Sequence, residues 1–578
     1  MRRLLPLSIL ALAACADSGE VTAPVRLAPP NAVISDAAHD PTADPRFVFL
    51  PPVVSDAPTI AGALDAALLP RLSLRVCVLT TGTCGSTVAV LTSTPNGDNE
   101  VIRIDDDLSS FHIVWKSRNY DLSLGTYRIE VWTDFGLATA KRYGFVDVQV
   151  VATGKEKKGV DGANFIALIQ GGNLNIKFHI AKLFDRYVSM GNSITAGFIS
   201  GGINATTQMQ AYPVLLAARF GIPFNVPLLA LPGCPAPFTA PITPPVGTPP
   251  CAGRANAVLP PNVDNVAVPG VRLAEALTLP TGQTGALQQL LLGPYTQVQA
   301  MQLAQPSFVS VALGNNDALQ ATLRGELGPI APGGPDILTP AAQFQASYAQ
   351  VVAAMNAVPT LTGAVLIGVF NPILSAPLLQ PGAFFFLSRD AAGRFQGKPV
   401  SSNCSPVNAL GQPNPLAANI VSAQIVIDAN FPEINCDPAA YPVGDPRRGV
   451  YVLDQTEQIT IATRVAQYNA IIAAAAAANG WAYFDPNTIV NAALVARVNG
   501  RADLLRKCQD LGTATTAAQF QAAVLNTCPV TGPTAAPNLF GTLVSFDGVH
   551  PSAAGQVALA NGVAAAINAK YGTMLPVN

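Results

Sequence analysis

The chain has 578 residues, too many for a single hydrophobic core, and 49% of them are hydrophobic, so two domains are expected. Its formal net charge is −2 and only 12% of its residues are charged, against roughly a quarter in an average soluble protein. No basic patch stands out, which argues against nucleic acid as a partner.

The chain opens with MRRLLPLSILALAAC. Arg2 and Arg3 form a positive stretch, and Leu4 to Leu12 form an apolar run too short to span a bilayer permanently. Leu12-Ala13-Ala14-Cys15 resembles the lipobox of bacterial lipoproteins, in which the cysteine becomes the lipidated first residue after cleavage. That resemblance implies a signal over residues 1–15 and a body tethered to a membrane by acyl chains on Cys15. It would lie in a bacterial cell envelope, facing the periplasm or the exterior. An ordinary secretory signal with an incidental cysteine is the alternative. No later stretch reads as a transmembrane helix. Residues 16–46, rich in Ala, Pro and Asp without apolar periodicity, are expected to form a flexible tether.

Over residues 47–182 the pattern is β. RLSLRVCVL, EVIRI, TYRIEVW, YGFVDVQVV and NLNIKFHIA alternate, with turn clusters such as TPNGDN between them. Short strands at this spacing predict a small immunoglobulin-like β-sandwich, with the charged run GKEKKG at 154–159 as a solvated hairpin tip. No constellation for chemistry is found there, so the domain reads as an accessory module.

Residues 183–578 alternate strands with helices. FVSVAL (308–313) and AVLIGVF (364–370) are continuous apolar runs, as in parallel strands covered on both faces. Segments 341–358 and 461–480 read as helices, the second closing on Asn479-Gly480, and WAYFD follows as a strand. Together these predict a three-layer α/β domain, interrupted by irregular stretches at about 232–264, 378–450 and 486–540.

Of nine cysteines, removing Cys15 leaves eight, an even number suited to an oxidising compartment. They fall into four sequence-local couples: Cys77 with Cys84, Cys234 with Cys251, Cys404 with Cys436, and Cys508 with Cys528. Eight cysteines allow 105 pairings, so this is one scheme among many. Metal binding is the rival reading, but no couple has C-x-x-C spacing and no histidine lies beside one. No metal or cofactor is expected.

Four stretches carry the chemical argument. YVSMGNSITAG (187–197) runs from a strand into a turn that presents Ser193; NVAVPG ends at Gly270; VALGNND puts Asn316 at the end of a strand; SFDGVHPS puts Asp547 and His550 three residues apart before the last helix. In open α/β sheets, ligands gather at the carboxyl ends of strands. Of four histidines, only His550 lies in the α/β domain. A serine nucleophile needs a base, and the base needs a carboxylate to hold its tautomer; His550 and Asp547 can serve.

These stretches resemble, in order, the blocks of the SGNH (GDSL-type) hydrolase family, over about 187–572. The resemblance implies a flavodoxin-like α/β fold with Ser193 as nucleophile, His550 as base and Asp547 as its orienting carboxylate. It also implies an oxyanion hole from the backbone N–H of Ser193 and Gly270 and the amide of Asn316. Asn192-Ser193-Ile194 stands where the family usually has Asp-Ser-Leu. The implied activity is hydrolysis of carboxylic esters through an acyl-enzyme, with small-molecule, lipid or acetylated-glycan esters as substrates. A carbohydrate O-deacetylase is the runner-up, and an inert glycan-binding or adhesion lipoprotein the rival from another class. The segment PILSAPLLQPGAFFFLS (372–388) is expected to border the cleft, with Leu378, Leu379, Phe384, Phe385 and Phe386 as an apolar rim suited to short and medium acyl chains.

Overall fold

A computed structural model describes residues 34–40, 42–55, 58, 62–95, 99–107, 109–137, 140–162, 165–245, 251–329, 334–498, 501, 503–508, 519, 539–573 and 575–577. The chain divides into two compact units, Met1–Leu183 and Phe184–Asn578. Cys15 and the Cys508–Cys528 pairing lie outside the described residues. No described helix is long and apolar enough to cross a membrane.

The first unit is all-β. Strands β1 (Ile34–Ser35), β2 (Phe47–Leu50), β3 (Leu72–Thr80), β4 (Thr83–Thr92), β5 (Arg103–Ile104), β6 (Phe111–Lys116), β7 (Gly125–Thr133), β8 (Lys141–Val151), β9 (Ile166–Ile169) and β10 (Asn173–Ile180) form two sheets. One has the order β1-β8-β7-β3-β4 with β9 also on β8; the other runs β2-β10-β6-β5. Alternation places Leu74, Val76, Ile129, Val131, Val146 and Val148 of the first sheet in one core with Phe47, Phe49, Trp115 and Phe178 of the second. A disulfide joins Cys77 to Cys84 across the β3–β4 hairpin.

Two expectations change here. Residues 34–40 and 42–46 are not tether. β1 pairs antiparallel with β8, Ile34 opposite Val146. Asp36 is fully buried, and its carboxylate accepts hydrogen bonds from the backbone N–H of Ala38, His39 and Phe49. The GKEKKG run begins as one exposed helical turn, Gly154–Lys157, because the Thr153 side chain caps the Glu156 N–H.

The second unit is built on a parallel sheet of β11 (Tyr187–Gly191), β12 (Phe308–Ala312), β13 (Gly363–Ile367) and β14 (Ala482–Phe484), in that order. Segment 264–268 runs beside β11, with Ser189 N–H donating to Asp264 and the Val266 and Val268 N–H groups donating to Ser189 and Gly191. This places the second element outside the first, the 2-1-3-4-5 order of flavodoxin-like folds. Helices α1 (Ser193–Ala196), α2 (Tyr212–Phe220), α3 (Gln297–Ala304), α4 (Asn315–Arg324), α5 (Ala341–Asn356), α6 (Gln455–Ala478), α7 (Asn487–Val498) and α8 (Ala553–Tyr571) accompany it.

Side chains alternate across the strands. Val188, Met190, Val309 and Val311 join Met301, Tyr348, Val351 and Ile472 of α3, α5 and α6. On the other face Tyr187 and Phe308 pack on Phe220 of α2 and Tyr571 of α8. These two layers of helices make the three-layer sandwich.

Helix α6 starts at Gln455, six residues before the expected start, because Asp454 and Glu457 form a reciprocal capping box. Helix α7 occupies part of a stretch expected to be irregular. In the 378–450 insertion, Leu379–Pro381 and Ile420–Ser422 form a small antiparallel sheet with Val452–Leu453, which follows it. The insertion also has a separate core, in which Phe384 and Phe385 pack against Phe395 with Ala383, Ile425 and Phe431. Disulfides Cys234–Cys251 and Cys404–Cys436 hold two of the loops.

Candidate active site

Strand β11 ends at Gly191, where the chain must turn sharply. Asn192 caps the turn: its side-chain oxygen accepts the Ile194 N–H at 3.2 Å, so an amide does here what a carboxylate could. Ser193 thereby becomes the first residue of α1. The turn closes at Gly197, whose φ is +86° and where a Cβ would sit 2.6 Å from the Cα of Gln208. Only glycine fits there, and the serine is left 7% exposed at the carboxyl end of the sheet.

The base and its carboxylate come from one four-residue turn. Asp547 Oδ1 accepts the N–H groups of Val549 and His550, each at 2.8 Å, and Oδ2 lies 2.8 Å from His550 Nδ1. His550 Nε2 lies 2.8 Å from Ser193 Oγ. An ionised carboxylate only accepts, so Nδ1 carries the ring proton and Nε2 is left to accept from the serine hydroxyl. The Phe198 ring packs against the imidazole with centroids 4.8 Å apart. Burial pushes the Asp547 carboxyl up, but the charge and hydrogen bond of His550 and the Val549 and His550 N–H groups outweigh it, holding the acid below its ordinary value.

Sequence reasoning missed the clamp that seats this turn. Gly201 N–H donates to Asp547 Oδ2 at 2.6 Å, Ser200 N–H donates to Ser545 Oγ at 2.9 Å, and Phe546 N–H donates back to Ser200 Oγ. The signal was the run Ser200-Gly201-Gly202 soon after the nucleophile, with Ser200 and Gly201 both at positive φ.

Of the three expected oxyanion donors, Ser193 and Asn316 lie in the first turns of α1 and α4 and Gly270 in the loop after segment 264–268. The Ser193 and Gly270 N–H groups have no hydrogen-bond partner among the described residues. Gly270 adopts φ +84°, and a Cβ there would lie 2.8 Å from Thr284 Oγ1. Asn316 Nδ2 donates one hydrogen to Val271 O at 2.9 Å, which orients the amide and leaves its second hydrogen available. Asp317, also unassigned by the sequence reading, ties these loops together. Its carboxylate accepts from Leu273 N–H at 2.8 Å and Thr339 Oγ1 at 2.7 Å. Burial pushes that carboxyl up against the pull of these donors and of Arg272.

The expected apolar rim is not at the cleft. Leu378, Leu379, Phe384 and Phe385 are 0–4% exposed and pack the interior, and the Phe386 ring is covered by the Arg389 guanidinium. Leu378 meets the catalytic turn at Gly548, its N–H donating to Gly548 O and its Cβ lying beside that glycine. An apolar cavity does adjoin the site; from the 372–388 segment it takes Pro372, Ser375 and Ala376 rather than the five rim residues, beside Ile194, Asn315, Val549 and Pro551.

Residues 187–563 match the model of the GDSL-like lipase/acylhydrolase family. No curated protein matches the chain. Among solved structures, a catalytic mutant of an acetylxylan esterase from Geobacillus stearothermophilus aligns at 11% identity over 68% of this chain and 95% of its own, with TM-score 0.27. An extracellular lipase from Streptomyces rimosus aligns at 15% identity over 67% and 99%, with TM-score 0.26. A phospholipase A1 from Streptomyces albidoflavus aligns at 15% identity over 67% and 99%, with TM-score 0.23. With the family match spanning well over half its length, the chain belongs to the GDSL-like lipase/acylhydrolase family and is a carboxylic-ester hydrolase.

Proposed function

We propose that the chain is a serine esterase working through an acyl-enzyme, with Ser193 as nucleophile, His550 as general base and Asp547 as the residue that orients it. The observation that carries this is the unbroken chain of two 2.8 Å contacts from Ser193 Oγ through the imidazole to Asp547. Ser193 Oγ attacks the ester carbonyl carbon while His550 Nε2 takes its proton. The carbonyl electron pair moves to oxygen, stabilised by the N–H groups of Ser193 and Gly270 and the Asn316 amide. As the intermediate collapses, the C–O bond to the alcohol breaks and His550 returns the proton to the leaving oxygen. Water, deprotonated by the same imidazole, then attacks the acyl carbon and frees the acid and the serine. Ser193→Ala is expected to abolish both ester hydrolysis and labelling by a fluorophosphonate while the protein remains folded. Activity or labelling that survives would place the nucleophile elsewhere.

The setting we infer is extracytoplasmic, with the protein held at a bacterial membrane by lipid on Cys15. The opening sequence and the disulfides support this, since such bonds persist in oxidising compartments. Cys15→Ser is expected to move the protein into the soluble fraction with its specific activity unchanged; a variant that still labels with a lipid precursor would refute the anchor.

A further inference from the structure

We propose that Lys507 is a positioning residue for His550, holding in place the backbone on which the base-bearing turn rests; this rests on the serine-esterase reading above. The support begins at Gly548, one residue after Asp547. Gly548 adopts φ +70°, and a Cβ there would lie 2.9 Å from the Phe540 ring and 3.0 Å from Leu378. Its carbonyl accepts the Leu378 N–H at 2.9 Å. The turn therefore lies against two segments, 376–380 and 539–543.

Residues 503–508 tie those two segments together. Arg506 N–H donates to Phe540 O at 3.1 Å, and the Thr542 and Leu543 N–H groups donate to Asp503 O and Leu504 O. Toward the other segment, Lys507 Nζ donates to Ala376 O at 3.1 Å and to Leu379 O, one acceptor on each side of Leu378. Gln380 completes the tie. Its Nε2 donates to Pro377 O at 2.9 Å and to Arg506 O at 2.8 Å, and its Oε1 accepts the Cys508 N–H at 3.0 Å. Both side chains are 1% exposed. An ammonium is costly to bury, and burial pushes the pKa of Lys507 down to about 7. A methionine would fill the same space without that cost. What it would lack is the pair of donors spanning Leu378, and with them the fixed position of the N–H that meets Gly548. The donors that bind the ester carbonyl are seated elsewhere, Ser193 by its Asn192 cap and Asn316 by Val271 O. Cutting the tie therefore moves the base against the nucleophile and leaves the carbonyl site in place.

The test uses the full-length protein and p-nitrophenyl acetate, with active sites counted by complete fluorophosphonate labelling. Lys507→Met is expected to lower kcat per labelled site about tenfold, with KM changed by less than about twofold, because a small misplacement of a catalytic group costs rate rather than binding. The rate of fluorophosphonate labelling is expected to fall with kcat. A residue that only stabilised the fold would reduce the number of labelled sites and leave kcat per site unchanged, and that result overturns the proposal. So does a loss confined to KM. Gln380→Leu cuts the same tie at Pro377 and Arg506 and is expected to lower kcat per site about threefold. Should Lys507→Met fail to fold, Gln380→Leu decides alone: kcat per site equal to the wild type overturns the proposal. A wild-type protein that hydrolyses no ester overturns the underlying esterase reading instead, a result reached before any variant is compared.

Discussion

The two units of the molecule handle buried polarity in opposite ways. Seven of the twelve Lys/Arg–carboxylate ion pairs among the described residues lie in the first unit, which is less than half as long as the second. Three of the second unit's five join residues only two apart. Buried Asn and Gln, by contrast, occur among the described residues only in the second unit, as with Gln208, Asn265, Gln288, Gln297 and Gln556. The reason is where each backbone finds its partners. Sandwich strands satisfy N–H and C=O in ladders, so side chains are free to pair across them. The long loops around the parallel sheet have no ladder, and an amide offers donor and acceptor together. Gln297 accepts from Gly191 N–H, and Gln556 accepts from Tyr212 N–H while donating to Ile194 O. An amide does this without adding charge beside Asp547 and His550.

The contrast breaks first at Arg128, whose guanidinium pairs with Asp147 through bonds of 2.7 and 2.9 Å, both side chains being 9% exposed. Arg128→Met strands a buried carboxylate and is expected to cost about 3–5 kcal/mol in denaturant unfolding of the β unit, most of it recovered by adding Asp147→Leu. A single-variant loss under about 1 kcal/mol would show these pairs to be decorative.

On the amide side, Asn316→Ala is expected to lower kcat by about 10²–10³ with little change in KM, since its donor matters most when charge reaches the carbonyl oxygen. Steady-state kinetics on a simple ester decide it. A pure KM effect would make Asn316 a substrate-binding residue instead.

Gln556→Leu sharpens the comparison at its smallest scale. It leaves Tyr212 N–H unpaired in the interior and Ile194 O with only the Gly197 N–H at 3.4 Å, and a loss of about 1–3 kcal/mol in unfolding free energy is expected. An unchanged stability would mean that water replaces the amide.

What could be read from the sequence was what the chain decides locally. β12 and β13 announced themselves as continuous apolar runs because both faces are covered. The Asp547 turn was readable because its hydrogen bonds span three residues. Residues 34–46 misled because Asp36 is seated by the N–H of Phe49, thirteen residues on, and β1 by a strand more than a hundred residues away. Phe384 and Phe385 misled for a related reason: composition marks a segment as apolar without saying which core will take it. The Gly201 donor to Asp547 bridges 346 residues: the Ser200-Gly201-Gly202 run marks a tight turn without naming the carboxylate it meets.

Because base and orienting carboxylate share one turn, they travel through evolution as a single package. A crossover anywhere between Gly202 and Leu543 passes both on together, and the intervening insertions can lengthen, shorten or be exchanged without changing the angle between imidazole and carboxylate. What such an exchange must preserve is narrower: the contacts by which residues 198–201 receive that turn, and the Ile242 and Leu378 N–H groups that donate to Phe546 O and Gly548 O. Variation in the loops away from Ile242 and Leu378, and from the residues that seat them, is therefore cheap for this protein, whereas a one-residue deletion beside Ser200 is not.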